Sequence, residues 1–310
     1  MVDNILFVPA TRELEWVQDI LPGTSPAELP VAGRRVIEYA IERAQKFDVV
    51  FTEILDWHFS ERLADHFADL TRTGCPVFYV KGAGFVPTGL RDIEGDSSPL
   101  TSDISDGLVV VWGIAISTHT AEDVTLEPIS DDECLDTPAG IYKRDGGRWM
   151  RVVPHGIVVR NVRAWHALNF IVLRQPEKFT LPGYSTERDV HLGRNVVIEH
   201  GTEVKPPVLL QDNTWFARNV RLDGEVIVDS GSYVSEGARL RRTVVCRDTM
   251  IGAGLDFEGK IVVGRRVVDA ETGTWVDLEE PGLARYIPTG LGWFRSLWHF
   301  FRGRSFGRRG

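Results

Sequence analysis

The chain has 310 residues, 43% of them apolar, enough to bury two moderate cores rather than one large one. Its net charge of −9 argues against general affinity for nucleic acid, and the charge is uneven: residues 291–310 hold five Arg and no acid, so the remainder carries −14. Cys75, Cys134 and Cys246 are odd in number and far apart, which excludes a disulfide framework and points to a reducing compartment.

The chain enters directly into a strand-like run, Asn4 to Val8, with no basic leader before it and no apolar stretch elsewhere long enough to span a bilayer. A cytoplasmic protein is therefore expected. Strand and helix patterns then alternate: helix Arg34–Ala44, strand Asp48–Ile54, helix Ser60–Leu70, strand Pro76–Val80 and strand Leu108–Ile116. This order predicts an α/β layer around a mostly parallel sheet. The run Leu108-Val109-Val110-Val111-Trp112 has the composition of a central strand covered on both faces. Gly82 to Asp106, rich in Gly, Pro, Ser and Asp, reads as a long surface loop of the kind that borders ligands at the carboxyl ends of such strands. His58, His66, His119, His155 and His166 are scattered, and Trp165 and Trp298 suit buried anchors. No Ser-His-Asp, Cys-His or zinc spacing stands out.

From Leu192 a second pattern begins. Leu192, Ile198, Val204, Leu210, Phe216, Leu222, Val228, Val234 and Leu240 recur at steps of six, and after one five-residue step Val245, Ile251, Phe257 and Val263 resume it. A second row four residues on, Val196, Thr202, Val208, Thr214, Val220, Val226, Ser232, Ala238, Val244, Thr249, Leu255, Ile261 and Val267, is small or aliphatic. Asn195, Gly201, Asn213, Asn219, Gly231, Gly237 and Gly254 mark the phase between them, where a sharp corner needs positive φ. Six residues make one flat side and one corner, and three sides make a coil. About four coils of a parallel β-helix are expected.

In the tail, Leu291, Phe294, Leu297, Trp298 and Phe301 fall at helical spacing, with Arg295, Arg302, Arg304, Arg308 and Arg309 among or after them. Such a helix suits the surface of an anionic membrane, and equally an apolar face of the solenoid or of another subunit.

Three segments carry a family resemblance. Leu29-Pro30-Val31-Ala32-Gly33-Arg34-Arg35-Val36-Ile37-Glu38-Tyr39-Ala40 resembles the stretch that opens the first long helix of sugar-1-phosphate nucleotidyltransferases, the NDP-sugar pyrophosphorylases. Val162 to Asn169 followed by Leu181-Pro182-Gly183, and Lys205-Pro206-Pro207-Val208 within the hexads, are similar to the join in members that carry a C-terminal left-handed β-helix. The resemblance implies a Rossmann-like nucleotidyltransferase domain over residues 1–185, a left-handed hexapeptide β-helix over 186–272 and an extension with the basic amphipathic helix over 273–310. It implies a reaction in which a sugar-1-phosphate oxygen attacks the α-phosphorus of a nucleoside triphosphate and pyrophosphate leaves, with Mg²⁺ as cofactor and surface polysaccharide synthesis as the setting.

The family's Gly-x-Gly-Thr-Arg loop falls on Val8-Pro9-Ala10-Thr11-Arg12. Thr11 and Arg12 match and are the nucleotide-binding candidates, Arg12 also the candidate catalytic cation, but both glycines are missing and Pro9 removes a donor. The family lysine falls near Pro26, and no lysine precedes Lys46. The metal aspartate falls on Gly113-Ile114; Asp103, Asp106, Asp123 and Asp131-Asp132 are nearby in sequence, where loop acids are usually solvated surface. A fold that has lost catalysis and kept a binding or scaffolding role, oligomerising through its β-helix, is the alternative. A hexapeptide acyltransferase is a further one, with His191 or His200 as its base.

Overall fold

The computed structural model of the protein describes residues 4–9, 11–44, 51–56, 61–72, 77–81, 88–94, 106–116, 124–153, 156–186, 189–280 and 282–287. The predicted tail helix, most of the Gly82–Asp106 loop, Asp103, Asp123, His58, His119 and His155 lie outside these residues. The chain divides into two compact units, Met1–Leu181 with Ala270–Gly273, and Pro182–Asp269 with Thr274–Gly310.

The first unit is built on a seven-stranded sheet in the order Val77–Lys81, Phe51–Asp56, Asn4–Val8, Val109–Trp112, Gly140–Asp145, Arg148–Val153, Thr125–Pro128. The first four strands are parallel and the last three extend the sheet antiparallel. Alternation along each strand sorts side chains to opposite faces. Ile5, Phe7, Val109 and Val111 meet Ile37 and Ile41 of helix Val36–Ala44 and Leu63 and Phe67 of helix Glu61–Arg72. Leu6, Val8, Val110 and Trp112 form a second core with Leu90, Ile93, Tyr142 and Trp149. Burial on both faces is why Leu108 to Trp112 reads as an unbroken apolar run.

Two features of this unit differ from the sequence expectation. The run Leu108–Ile116 is not one strand: Gly113 at φ +68 breaks it, and Ile114–Ile116 pairs instead with Ile157–Val159. The hairpin of Gly140–Asp145 and Arg148–Val153, turned at Gly146-Gly147 with both φ positive, carries no helical or long apolar signature and was not among the predicted elements.

The second unit is a parallel β-solenoid of about four turns with three sides. One side stacks Val190–Leu192, Val208–Leu210, Val226–Val228, Thr243–Val245 and Lys260–Val263. The second stacks Val197–Ile198, Trp215–Phe216, Tyr233–Val234 and Thr249–Ile251. The third stacks Glu203–Lys205, Arg221–Asp223, Arg239–Arg241 and Asp256–Glu258. The two apolar rows converge on one interior that includes Val208, Leu210, Phe216, Val220, Leu222, Val226, Val228, Val234, Leu240 and Ile251, each such burial contributing roughly 1.5–3 kcal/mol.

The register shortens twice, not once. Val190, Val208 and Val226 stack at intervals of 18, but Val226 stacks on Thr243 and Val244 on Ile261 at intervals of 17. The corner explains it. Gly224 and Glu225 both take positive φ in the longer coil, whereas Arg242 alone, and then Gly259 alone, turns the shorter ones. The interior row therefore passes from Phe257 to Val262, and Val244 and Ile261, expected inside, point outward.

The three outer faces differ in chemistry. His191, Leu209, Ile227, Val244 and Ile261 line the first, and all are buried in the folded chain. Val197, Trp215, Tyr233 and Met250 line the second. The third is a lattice of ion pairs: Lys205 and Arg239 both reach Asp223, Arg221 lies near Glu203, and Arg241 pairs with Glu258. Trp275–Asp277 and Ala284–Tyr286 close the far end, adding antiparallel strands to two of the sides. Among the described residues no helix is long and apolar enough to cross a membrane.

Candidate functional site

The strand order places a reversal between Asn4–Val8, from which the chain first runs outward, and Val109–Trp112, to which it returns on the other side. The crevice at the carboxyl ends of such a pair is the usual ligand position in open α/β sheets. Here those ends are joined: Gly113 N–H donates to the Val8 carbonyl at 2.9 Å. Thr11 follows the first strand in extended conformation and starts a 3₁₀ turn, Arg12–Leu14. It is 3% exposed, and its Oγ1 has no hydrogen-bond partner among the described residues, an omission that costs about 1–3 kcal/mol in a buried hydroxyl. A methyl at Gly113 would lie 3.5 Å from that Oγ1 and 2.9 Å from the Ala139 Cβ. Arg12 is exposed and forms no ion pair among the described residues.

Beside these strand ends a pair of charges brackets the backbone of one residue, Ala139. Glu13 Oε2 accepts from Ala139 N–H at 3.3 Å, Arg160 Nη2 donates to the Ala139 carbonyl at 3.2 Å, and the two charged groups lie 3.7 Å apart. Tyr142 donates to the Pro138 carbonyl at 2.7 Å, and burial, with Glu13 adding to it, pushes its phenol up so that it stays protonated.

The next strand ends on a buried carboxylate. Asp56 closes Phe51–Asp56 and accepts from Ser25 Oγ at 2.5 Å and Tyr79 OH at 2.7 Å. Ser25 caps the short turn Pro26–Glu28, with Glu28 reaching back to the Ser25 N–H. On the far side of the same loop, Asn169 Oδ1 accepts from Ala32 N–H at 2.8 Å and Trp165 Nε1 donates to the Pro30 carbonyl at 2.7 Å. Residues 25–32, which lead into and open the Leu29–Ala40 stretch that carries the family resemblance, are thus pinned from both sides. Asp56, Ser25 and Asn169 were not anticipated; a polar residue closing an apolar strand run was the signal available for Asp56.

Thr11 and Arg12 are the predicted site residues that the fold brings to the strand ends. His191 lies in the outward row of the solenoid's first side, where burial lowers its pKa and keeps the imidazole neutral near pH 7, while His200 is exposed beyond the second side. The solenoid does not bring them into one site. Asp131 and Asp132 start the exposed helix Asp131–Leu135, and Asp106 accepts from Gly147 N–H. Gly113 stands where the resemblance places the metal aspartate and offers no carboxylate, and among the described residues no group of three His, Cys, Asp or Glu could hold a metal.

No family model matches the chain. A stretch of 120 residues, 38% of the chain, is 25% identical to a UTP–glucose-1-phosphate uridylyltransferase of Synechocystis sp., and the match covers 31% of that relative.

Proposed function

We propose that the protein serves sugar-nucleotide metabolism as a distant relative of the NDP-sugar pyrophosphorylases, its first unit binding a nucleoside triphosphate or NDP-sugar at the carboxyl ends of the parallel strands. The observation that carries this reading is the buried Thr11 hydroxyl, unpartnered among the described residues, which leaves a hydrogen bond for a ligand to complete where this class of sheet binds ligands. Arg12 beside it supplies a cation for phosphate oxygens. Similarity to the uridylyltransferase agrees in class.

A second reading, a sugar-nucleotide-binding scaffold without catalysis, is favoured by one contact. The Ala139 methyl stands where a carboxylate from position 113 would have to pass. Calorimetry with the four common nucleoside triphosphates and with NDP-glucose, run beside radiolabelled pyrophosphate exchange with several sugar-1-phosphates, separates the two. Binding with exchange supports the transferase, and binding without exchange supports the scaffold. Failure of every nucleotide to bind, or undiminished binding in Arg12→Ala, removes both.

The same reading extends to a left-handed solenoid, association of copies through it, and a place in surface polysaccharide assembly, with residues 291–310 holding the protein at an anionic membrane face. Liposome flotation with and without those residues tests the last point; equal flotation of both forms counts against it.

A further inference from the structure

Among the described residues the first coil of the solenoid has no coil beneath it, and one side is continued, by Tyr184–Ser185 running antiparallel to Val190–Leu192. Elsewhere the interior ends openly: Ile198 is 42% exposed, and Leu192 and Val196 are only partly buried. A concavity of about 740 Å³ lies here, floored by these three side chains, within the range of small-molecule sites.

Its walls carry a specific set of polar groups. Asp212 accepts the Arg194 backbone N–H at 2.7 Å and Nε and Nη2 at 3.2 and 3.0 Å. These bonds hold the Asp212 carboxyl below the ordinary carboxylate range, so the pair stays ionised and the pocket has no excess charge. Asn195 and Asn213, both at positive φ, stack across coils with Nδ2 of the first donating to Oδ1 of the second at 3.0 Å. That leaves Asn195 Oδ1 as an acceptor and Asn213 Nδ2 and Arg194 Nη1 as donors. Tyr184, 59% exposed, presents its ring at the rim.

We infer that this pocket is a carbohydrate site that takes a neutral hexopyranose ring. An aromatic ring beside an apolar floor matches the C–H face of a pyranose, and planar amide and guanidinium groups match vicinal hydroxyls, which both donate and accept. A phosphate would meet Arg194 already neutralised and Asp212 facing it. An acyl chain would bury the amide ladder without partners, which is unfavourable. The site lies wholly in the second unit, so it stands or falls apart from the nucleotide reading.

The test is saturation-transfer NMR and calorimetry on the full chain with methyl glucoside, galactoside and mannoside, glucose-1-phosphate and uridine. One or more neutral glycosides bind, and Tyr184→Ala, at an exposed position, weakens binding about tenfold. Asn213→Gly suits the left-handed corner that Gly231 occupies one coil on, so it deletes the amide without disturbing the turn and weakens binding roughly three- to tenfold. Circular dichroism confirms that each variant is folded. Absence of any neutral glycoside signal at about 10 mM, unchanged affinity in Tyr184→Ala, or tighter binding of glucose-1-phosphate or uridine at this pocket overturns the inference.

Discussion

Thr11 and Gly113 face one another across the ends of the two central parallel strands, with Ala139 completing the contact: a methyl at position 113 would lie 3.5 Å from Thr11 Oγ1 and 2.9 Å from the Ala139 Cβ. Gly113 also holds φ at +68 so that its N–H reaches Val8. The strand end that carries a metal aspartate in the resembled family is thus shaped here for a residue without a side chain.

Gly113→Ala is therefore expected to destabilise the first unit by about 1–3 kcal/mol, from left-handed strain and the Ala139 contact together. Pairing it with Ala139→Gly should return only the contact share. Urea denaturation of the two single variants and the double variant measures the coupling. Strict additivity would show that Ala139 is not the obstacle.

Thr11→Val keeps the shape and removes the unpaired hydroxyl. Stability should rise by about 1 kcal/mol, or stay level, because no hydrogen bond to a described residue is lost. Nucleotide affinity should fall at the same time. A site that weakens folding in favour of binding shows this opposition; a stability loss with unchanged affinity would make Thr11 an ordinary packing residue.

How far the sequence discloses this molecule depends on how local each determinant is. The solenoid was legible because its interior repeats at a fixed step, so Leu210, Phe216 and Leu222 could be placed without knowing what lies beside them. The second shortening of the coil was not, since Val262 and Val263 are both aliphatic and only the single left-handed residue Gly259 distinguishes them. Thr11 and Arg12 were singled out through adjacency in a motif, and the fold places Thr11 at the end of the first strand. Asp56 and Asn169 escaped because their partners are 31 and 137 residues away, Ser25 and Ala32 respectively, and such separations leave no periodic trace.

Glycines at solenoid corners are not equivalent. A methyl at Gly237 would meet nothing within 4 Å, whereas one at Gly201 would run into the Asn219 side chain stacked on it. Gly237→Ala should cost about 1–2 kcal/mol, the strain of one left-handed alanine. Gly201→Ala should cost more, unless Asn219→Gly is added. Equal midpoints in thermal unfolding of the two single variants would refute the role given to the Asn219 contact.

His191 gives the solenoid a predictable response to acid. It sits in an outward row with Leu209 and Ile227, buried, and loss of solvation lowers its pKa from 6.5 against a smaller opposing pull from Asp189. Well above pH 6.5 neither state takes up the proton. Below it the unfolded chain protonates first, so ΔG of unfolding falls as pH drops and levels off once the folded imidazole titrates too. His191→Leu matches the apolar row and removes this term, leaving the other titrating groups in place. Urea midpoints from pH 7.5 to about 5 should therefore decline less steeply in the variant than in the wild type. Parallel curves would mean that His191 titrates alike in both states.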